Sequence, residues 1–265
     1  MLKKRLIPVL LLQNGQLVRS ETFSIHQAIG NAVNQALRYN EWSVDELIYL
    51  DISRADTYAD RRDDQLIKSP TDPLSLIAAL SKTCFMPLTF GGGIRDVERI
   101  RSLIAAGADK ITLNTGAVQT PQLVTDGAVR FGSQAIVVSI DAKRNASGLQ
   151  EVFIDGGRQP TGKLVHEWAR EVESRGAGEI LLQSVDRDGT ASGYDVELIA
   201  RVASAVRIPV IACSGVGRYE DYAEGIRAGA SAVAAANIFH FKDLADRGGK
   251  AALLRAGIDV RPVEK

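Results

Sequence analysis

The chain has 265 residues, of which 45% are hydrophobic and 24% are charged, and its 32 basic and 32 acidic residues give a formal net charge of zero. This length suits one (β/α)8 barrel, whereas the balanced charge, without a basic block, argues against a nucleic-acid-binding protein. No stretch reaches the ~18 consecutive apolar residues that a membrane-spanning helix needs, so no membrane partner is expected.

The first predicted element is a buried strand over residues 6–12. The basic start, Met-Leu-Lys-Lys-Arg, followed by an apolar run, is similar to the start of a secretory signal. The run is short, contains Pro8 and has no small-residue cleavage site, so we expect a strand and a cytoplasmic protein. Cys84 and Cys213 form no CxxC pattern, which fits a reducing compartment.

Eight apolar runs predict the strands of one parallel sheet. They lack polar alternation, as expected for strands that are buried on both faces. The runs are centred on residues 6–12, 46–52, 86–90, 110–114, 135–141, 179–184, 209–213 and 232–236. Helical spacing between them, as at Leu164, Trp168 and Val172, predicts helices, and Gly107 and Gly229 stand where helices should end.

Three long connections follow predicted strands, at residues 13–30, 53–72 and 143–162. Connections after the strands lie at the C-terminal face, where barrel active sites are built. The third connection predicts a hairpin around Gly156 and Gly157. The second is charged and has no core pattern, so we expect it to be mobile until something binds.

Part of the sequence occurs twice. A constant offset of 122 residues relates Gly93 to Gly215, and the Ala-Gly-Ala triplet around Gly107 to that around Gly229. Each copy reads as strand, glycine turn, helix and strand, which is a βαβ unit. We therefore predict an α/β protein: a single (β/α)8 TIM barrel over residues 1–265, made of two duplicated half-barrels of about 1–130 and 131–265.

The duplicated glycine turns predict a pair of anion sites. Glycine lets the backbone approach an anion, and a following helix N-terminus offers N–H groups. The candidate residues are Gly92, Gly93, Asn114 and Thr115 in the first copy, and Ser214, Gly215, Ala236 and Asn237 with Asp188 and Gly189 in the second. Tight turns without a ligand are the alternative.

Carboxylates stand at other strand ends. Asp141 ends the fifth predicted strand inside the barrel mouth. Its carboxylate is a candidate general acid or base, and the alternative is that it only binds N–H groups of the loop. Asp51 and Asp186 either bind substrate hydroxyls or fix a loop.

Four charged residues stand instead at strand starts, and therefore at the N-terminal face: Arg5, Glu46, Lys110 and Glu179. Two acids and two bases there predict a closed ring of ion pairs. Such a ring is either purely structural or has a further role, because charges at a barrel floor cost desolvation.

Several runs carry a family resemblance: Gly91-Gly-Gly-Ile-Arg95, Gly107-Ala-Asp-Lys110, Phe131-Gly-Ser-Gln134, Ile140-Asp-Ala-Lys-Arg144, Gly176-Ala-Gly-Glu-Ile-Leu-Leu182, Asp186-Arg-Asp-Gly-Thr190 and Phe239-His-Phe241. Together they resemble the cyclase subunit of imidazole glycerol phosphate synthase, from residue 4 to about residue 261, with an insertion after the second strand. The resemblance implies a duplicated (β/α)8 barrel without cofactor or metal. It also implies a separate glutaminase docked on the N-terminal face, and ammonia crossing the lumen to a two-phosphate substrate at the C-terminal face.

The resemblance also assigns roles to residues. It makes Arg5, Glu46, Lys110 and Glu179 the gate of the ammonia channel, and it places Asp109 and Gln134 at the partner interface. It adds Asp51, Arg19 and Gln183 to the substrate-binding residues of the two anion sites.

Departures from the family pattern cluster at the C-terminal face. Leu11 stands where the family has a catalytic Asp, which leaves Asp141 as the candidate catalytic residue. Gln183 replaces a Thr, Cys213 and Ser214 replace the first two residues of Ser-Gly-Gly, and Asn237 replaces a Ser. Leucine cannot transfer a proton, and one acid–base group typically contributes about 10²–10⁴ in rate.

The leucine-containing version resembles a branch of cyclase paralogues associated with surface polysaccharide. This branch is linked to converting an acetamido group on a sugar into an acetamidino group, together with a glutaminase and a third, ATP-dependent sugar amidotransferase. The chain has no G-x-x-x-x-G-K-[ST] phosphate loop, so activation of the amide would lie with the third protein. The sequence therefore predicts an ammonia-conducting barrel subunit of a glutamine-dependent amidotransferase that serves this sugar modification. Two alternatives stay open: a working cyclase of histidine biosynthesis, and a non-catalytic scaffold for the glutaminase.

Overall fold

The computed structural model describes residues 3–42, 44–53, 58 and 70–263. Within them the strands, in chain order, are β1 (Arg5–Gln13), β2 (Gln16–Glu21), β3 (Ile25–Asn31), β4 (Leu47–Asp51), β5 (Leu88–Gly91), β6 (Lys110–Leu113), β7 (Ile136–Arg144), β8 (Gln150–Ile154), β9 (Gln159–Leu164), β10 (Glu179–Ser184), β11 (Val210–Cys213) and β12 (Ala232–Ala235).

The α-helices of the same residues are α1 (Ala32–Asn40), α2 (Pro73–Leu80), α3 (Val97–Ala106), α4 (Thr115–Gln119), α5 (Gln122–Phe131), α6 (Val165–Ser174), α7 (Val196–Ala205), α8 (Asp221–Arg227), α9 (Asn237–Phe241) and α10 (Ala245–Arg255). None of these described helices has both the length and the apolar character to cross a membrane.

Eight parallel strands close into a barrel in the order β1, β4, β5, β6, β7, β10, β11 and β12, and β12 pairs with β1. These are the eight strands that the apolar runs predict, and they confirm the (β/α)8 TIM barrel. Helices pack between them; for example, α3 ends at Gly107, whose φ of 119° is the left-handed conformation that glycine adopts readily. Trp168 and Val172 are buried on α6 as predicted, whereas Leu164, which was predicted to lie in the same helix, is the last residue of β9.

Side chains of the barrel strands alternate between two cores. On β1, Leu6, Leu10 and Leu12 pack toward the helices, whereas Ile7, Val9 and Leu11 point into the lumen. The lumen cluster also contains Ile48, Val137, Leu181, Ile211, Cys213, Ala232 and Ala234. The middle of the lumen therefore has apolar walls.

Two of the long connections form hairpins above the C-terminal face. Strands β2 and β3 follow β1, with Leu11 opposite Val18 in the β1–β2 pair; the sequence patterns did not predict them. Strands β8 and β9 confirm the hairpin around Gly156 and Gly157. Most of the second connection, residues 54–57 and 59–69, lies outside the described residues, and so does the prediction of its mobility.

Candidate active site

The floor of the barrel carries a closed ring of ion pairs. Arg5 Nη1 lies 2.6 Å from Glu46 Oε1 and 3.0 Å from Glu179 Oε1. Lys110 Nζ completes the ring at 3.1 Å from Glu46 Oε2 and 3.3 Å from Glu179 Oε1. Burial alone would lower the pKa of Arg5, but the two carboxylates outweigh it and raise that pKa above its ordinary value. The predicted ring geometry is confirmed.

The outer surface of this N-terminal face has a cavity of about 320 Å³, lined mainly by residues that precede β5 and β6. Phe85 borders it and is 87% exposed, an unusual position for a large apolar side chain. Asp109, which also borders it, is exposed while its carboxylate accepts a hydrogen bond from the Leu88 N–H at 2.8 Å. Gln134 is exposed just before β7. The two residues predicted for a partner interface therefore lie on the accessible surface of this face.

At the opposite end of the lumen, a small pocket brings together residues of the second anion site. Its lining includes Leu11, Gln183, Asp188, Gly189, Ser214, Gly215, Ala236 and Asn237. Val9, Cys213 and Phe23 add apolar contact surface. Leu11 is 7% exposed and packs in the lumen cluster, so the wall where the family pattern has an acid is apolar here.

Asp141 is buried behind this pocket rather than lining it. Its Oδ1 accepts hydrogen bonds from Ser139 Oγ at 3.2 Å and from Gln183 Nε2 at 3.1 Å. Burial raises the pKa of Asp141 to about 7; the two hydrogen bonds oppose this shift, and the charge of Asp188 adds to it. A carboxyl group with this pKa can both accept and donate a proton near neutral pH.

The loop after β10 ties the second anion site to the β2–β3 hairpin. Asp188 accepts a hydrogen bond from Ser20 Oγ at 2.7 Å, and the Thr22 N–H donates to the Asp188 carbonyl at 2.9 Å. Burial raises the pKa of Asp188, whereas the bond from Ser20 lowers it. Asn237 Nδ2 donates to the Ser20 carbonyl at 3.1 Å, so the hairpin covers this site.

Backbone conformation in the same site depends on close packing. A Cβ atom on Gly215, whose φ is 94°, would lie 2.2 Å from the Gly193 carbonyl oxygen. Ser214 has a φ of 80°, which is strained for a residue with a side chain. Both residues line the pocket, so this tightly packed turn forms part of its wall.

The first anion site has a related arrangement but does not share the pocket. Gly92 and Gly93 have φ values of 121° and 64°. Thr115, the first residue of α4, accepts a hydrogen bond from the Asp155 N–H at 3.1 Å, and Asn114 Nδ2 donates to the Ser139 carbonyl at 3.1 Å. The β8–β9 hairpin thus contacts the first site as β2–β3 contacts the second.

Three other predicted residues make hydrogen bonds to loop residues or to a neighbouring strand. Asp51 accepts hydrogen bonds from the Tyr58 hydroxyl at 2.7 Å and the Ser53 N–H at 2.9 Å. Asp186 accepts one from the Arg144 N–H at 2.9 Å. Arg19 is half-buried on β2, where its Nε donates to Gln27 at 2.8 Å. For Asp51 and Asp186, these contacts favour loop fixation over binding of substrate hydroxyls.

Sequence reasoning missed Ser139 and Phe23. Ser139 stands two residues before Asp141 on β7, so the alternation of side chains along a strand could have placed both on the lumen face. Phe23 gave no such indication, because the β2–β3 hairpin that positions it had no clear apolar alternation.

Comparison with known proteins places these features in a family. The model of the family described as "Histidine biosynthesis protein" matches residues 5–245. A relative from Gluconacetobacter diazotrophicus, named imidazole glycerol phosphate synthase subunit HisF, is 44% identical over 261 residues, which cover 98% of this chain and 97% of the relative. The chain, with its closed barrel and HisF-type sequence, therefore belongs to the histidine biosynthesis protein family.

Proposed function

We propose that this chain is the barrel subunit of a glutamine-dependent amidotransferase, which admits ammonia at its charged floor and uses it at the C-terminal face. One observation carries the proposal. A closed ring of two acids and two bases caps an apolar lumen, and the other end of that lumen holds a buried carboxyl group whose pKa is about 7. In this function Arg5, Glu46, Lys110 and Glu179 form the gate.

The reaction that we propose first is that of imidazole glycerol phosphate synthase in histidine biosynthesis. The full-length similarity to a HisF subunit supports this alternative better than it supports sugar modification. Asp141 would exchange the protons of the cyclisation, and the two glycine-turn sites would bind the phosphates of the substrate. Gly93 is exposed and Gly215 lines the pocket, and both have the positive φ that lets backbone approach an anion closely.

The partner that we propose is a HisH-like glutaminase on the N-terminal face. The exposed side chains of Asp109 and Phe85, which border a cavity of about 320 Å³, and the exposed Gln134 just before β7 support this docking position. We further propose that the barrel arose from two half-barrels of about residues 1–130 and 131–265. The short helices α4 and α9, which begin at Thr115 and Asn237, keep the offset of 122 residues seen in the sequence.

A second candidate reaction rests on Leu11. Because an apolar residue replaces an acid–base group, the pocket suits a reaction in which another protein activates the acceptor and this chain only supplies ammonia. Conversion of an acetamido to an acetamidino group on a sugar is such a reaction, with a third, ATP-dependent amidotransferase. In that reaction the chain would conduct ammonia and hold an anionic ligand, whereas a non-catalytic scaffold would only bind the glutaminase.

One experiment separates these reactions. The purified chain is given ammonium ions and the histidine-pathway ribonucleotide, and formation of the imidazole product is followed. The first proposal expects turnover that Asp141→Asn abolishes; no turnover refutes it. Formation of an acetamidino sugar from an acetamido sugar nucleotide, ATP, glutamine and the other two proteins would instead support the second candidate.

A further inference from the structure

The lumen-facing residues of two adjacent strands form a hydrogen-bonded cluster that the family pattern did not predict. Strands β7 and β10 are parallel neighbours, and Gln183 is paired in register with Asp141. Gln183 Nε2 lies 3.1 Å from both Ser139 Oγ and Asp141 Oδ1, and Ser139 Oγ lies 3.2 Å from the same carboxylate oxygen. All three residues are at most 6% exposed.

The donors and acceptors of this cluster are consistent with one arrangement. The Ser139 hydroxyl accepts a hydrogen bond from the Gln183 amide and donates its single hydrogen in a hydrogen bond to Asp141. Both donors meet Oδ1, and within the described part of the chain Oδ2 receives no hydrogen bond. The carboxyl group is therefore fixed by one oxygen, which leaves the other to exchange a proton.

Gln183 is also the link between Asp141 and the pocket. The Gln183 side chain lines the pocket, whereas Asp141 lies behind it. The other titratable groups that face the carboxyl group are Asp188 from the loop after β10 and Cys213 from β11. Burial raises the pKa of Cys213 to about 12, so this thiol stays neutral and supplies no charge near pH 7.

We propose that Gln183 and Ser139 are positioning residues, which hold Asp141 by Oδ1 next to the pocket and leave its other carboxylate oxygen for proton exchange. This inference rests on the proposed function for the role of Asp141 and adds the residues on which that role depends. Both hydrogen bonds favour the ionised carboxylate. Loss of either donor therefore moves the protonation equilibrium toward the neutral acid.

The test titrates Asp141 in the full chain without its partners. Carbon-13-labelled aspartate is followed by nuclear magnetic resonance, and Asp141→Asn identifies the signal. Gln183→Met removes the donor while keeping the length of the side chain, and we expect the midpoint to rise by about one pKa unit, a tenfold change in the protonation equilibrium. Ser139→Ala should move it in the same direction.

Thr112→Val is the matched control. Thr112 lies on the lumen face, is buried, and its hydroxyl makes no hydrogen bond within the described residues, so this variant should leave the midpoint unchanged. If Gln183→Met does not fold, Ser139→Ala decides the matter, since it removes only one oxygen atom. An unmoved midpoint in the folded variants overturns the inference.

Turnover distinguishes this inference from the proposed function. Where the unaltered chain turns over with ammonium ions, the pH profile of Gln183→Met should shift upward with the midpoint. A shifted midpoint in a chain without turnover keeps the positioning role and rejects the catalytic one. Turnover whose pH profile is the same in Gln183→Met and in the unaltered chain keeps the proposed function and rejects the positioning role.

Discussion

Lys110 offers the sharpest test of the charged floor. Its ammonium group lies 3.1 Å from Glu46 and 3.3 Å from Glu179, and the three side chains are 17%, 9% and 13% exposed. Lys110→Ala leaves both carboxylates to share Arg5. Exposed ion pairs contribute about 0–1 kcal/mol, whereas breaking a buried pair costs about 3–5 kcal/mol, so for this nearly buried ring we expect a loss of about 1–3 kcal/mol.

The same substitution removes one of the four side chains that close the N-terminal end of the lumen. With a purified glutaminase partner, we expect Lys110→Ala to lower the product formed per glutamine hydrolysed, while turnover supported by added ammonium ions is kept. The assay measures glutamate and product in the same sample, and thermal unfolding checks stability at about 2–4 °C for each kcal/mol. Arg201→Ala, which breaks an exposed pair with Glu197 at 3.4 Å, is the control and should change neither quantity. Unchanged coupling in Lys110→Ala would refute the gate.

Three further substitutions probe the C-terminal face. Leu11→Asp should increase cyclisation with ammonium ions by up to about 10²–10⁴-fold, because it adds an acid–base group; unchanged turnover would show that the pocket no longer fits that substrate. Asp141→Asn should weaken the pH dependence of stability. The raised pKa, about 7 against an ordinary 3.8, stabilises the fold below about pH 4 and this contribution is lost as the pH rises through 7. Denaturant titrations at pH 5 and pH 8 therefore should differ less for the Asn variant than for the parent. Gly92→Ala should cost about 2 kcal/mol or more in the free energy of unfolding, because its Cβ would lie 2.1 Å from the Asp51 carbonyl at a φ of 121°, and normal stability would disprove the close packing.

The barrel itself was predictable because its strands are buried on both faces. Runs such as residues 209–213 have no polar alternation, and only a parallel sheet covered by helices buries such strands. The ion-pair ring was equally accessible, since Arg5, Glu46, Lys110 and Glu179 all stand at strand starts and strand starts meet at one face.

The hairpins and the hydrogen bonds across the pocket were not predictable in the same way. Strand β3 is half-exposed, and its residues form no apolar stripe, so its pairing depends on β2, which is itself held by the hydrogen bond from Ser20 to Asp188. From the sequence, Gln183 was a departure from the family pattern and a candidate substrate-binding residue, with no link to Asp141. Its role became visible when the register of β7 and β10 brought its amide to Asp141.

The apolar lumen has a consequence for the chemical form of the nitrogen that it would carry. From Arg5 to Leu11 the path along β1 spans six residues, or about 20 Å at the usual strand rise. Walls such as Ile7, Val9 and Leu181 offer no hydrogen bonds, and an isolated ammonium cation would lose its hydration there at a cost of several kcal/mol or more. Under the proposed function, an ammonium ion would therefore lose its extra proton at the floor, and the nitrogen would reach its acceptor as uncharged ammonia with a free lone pair.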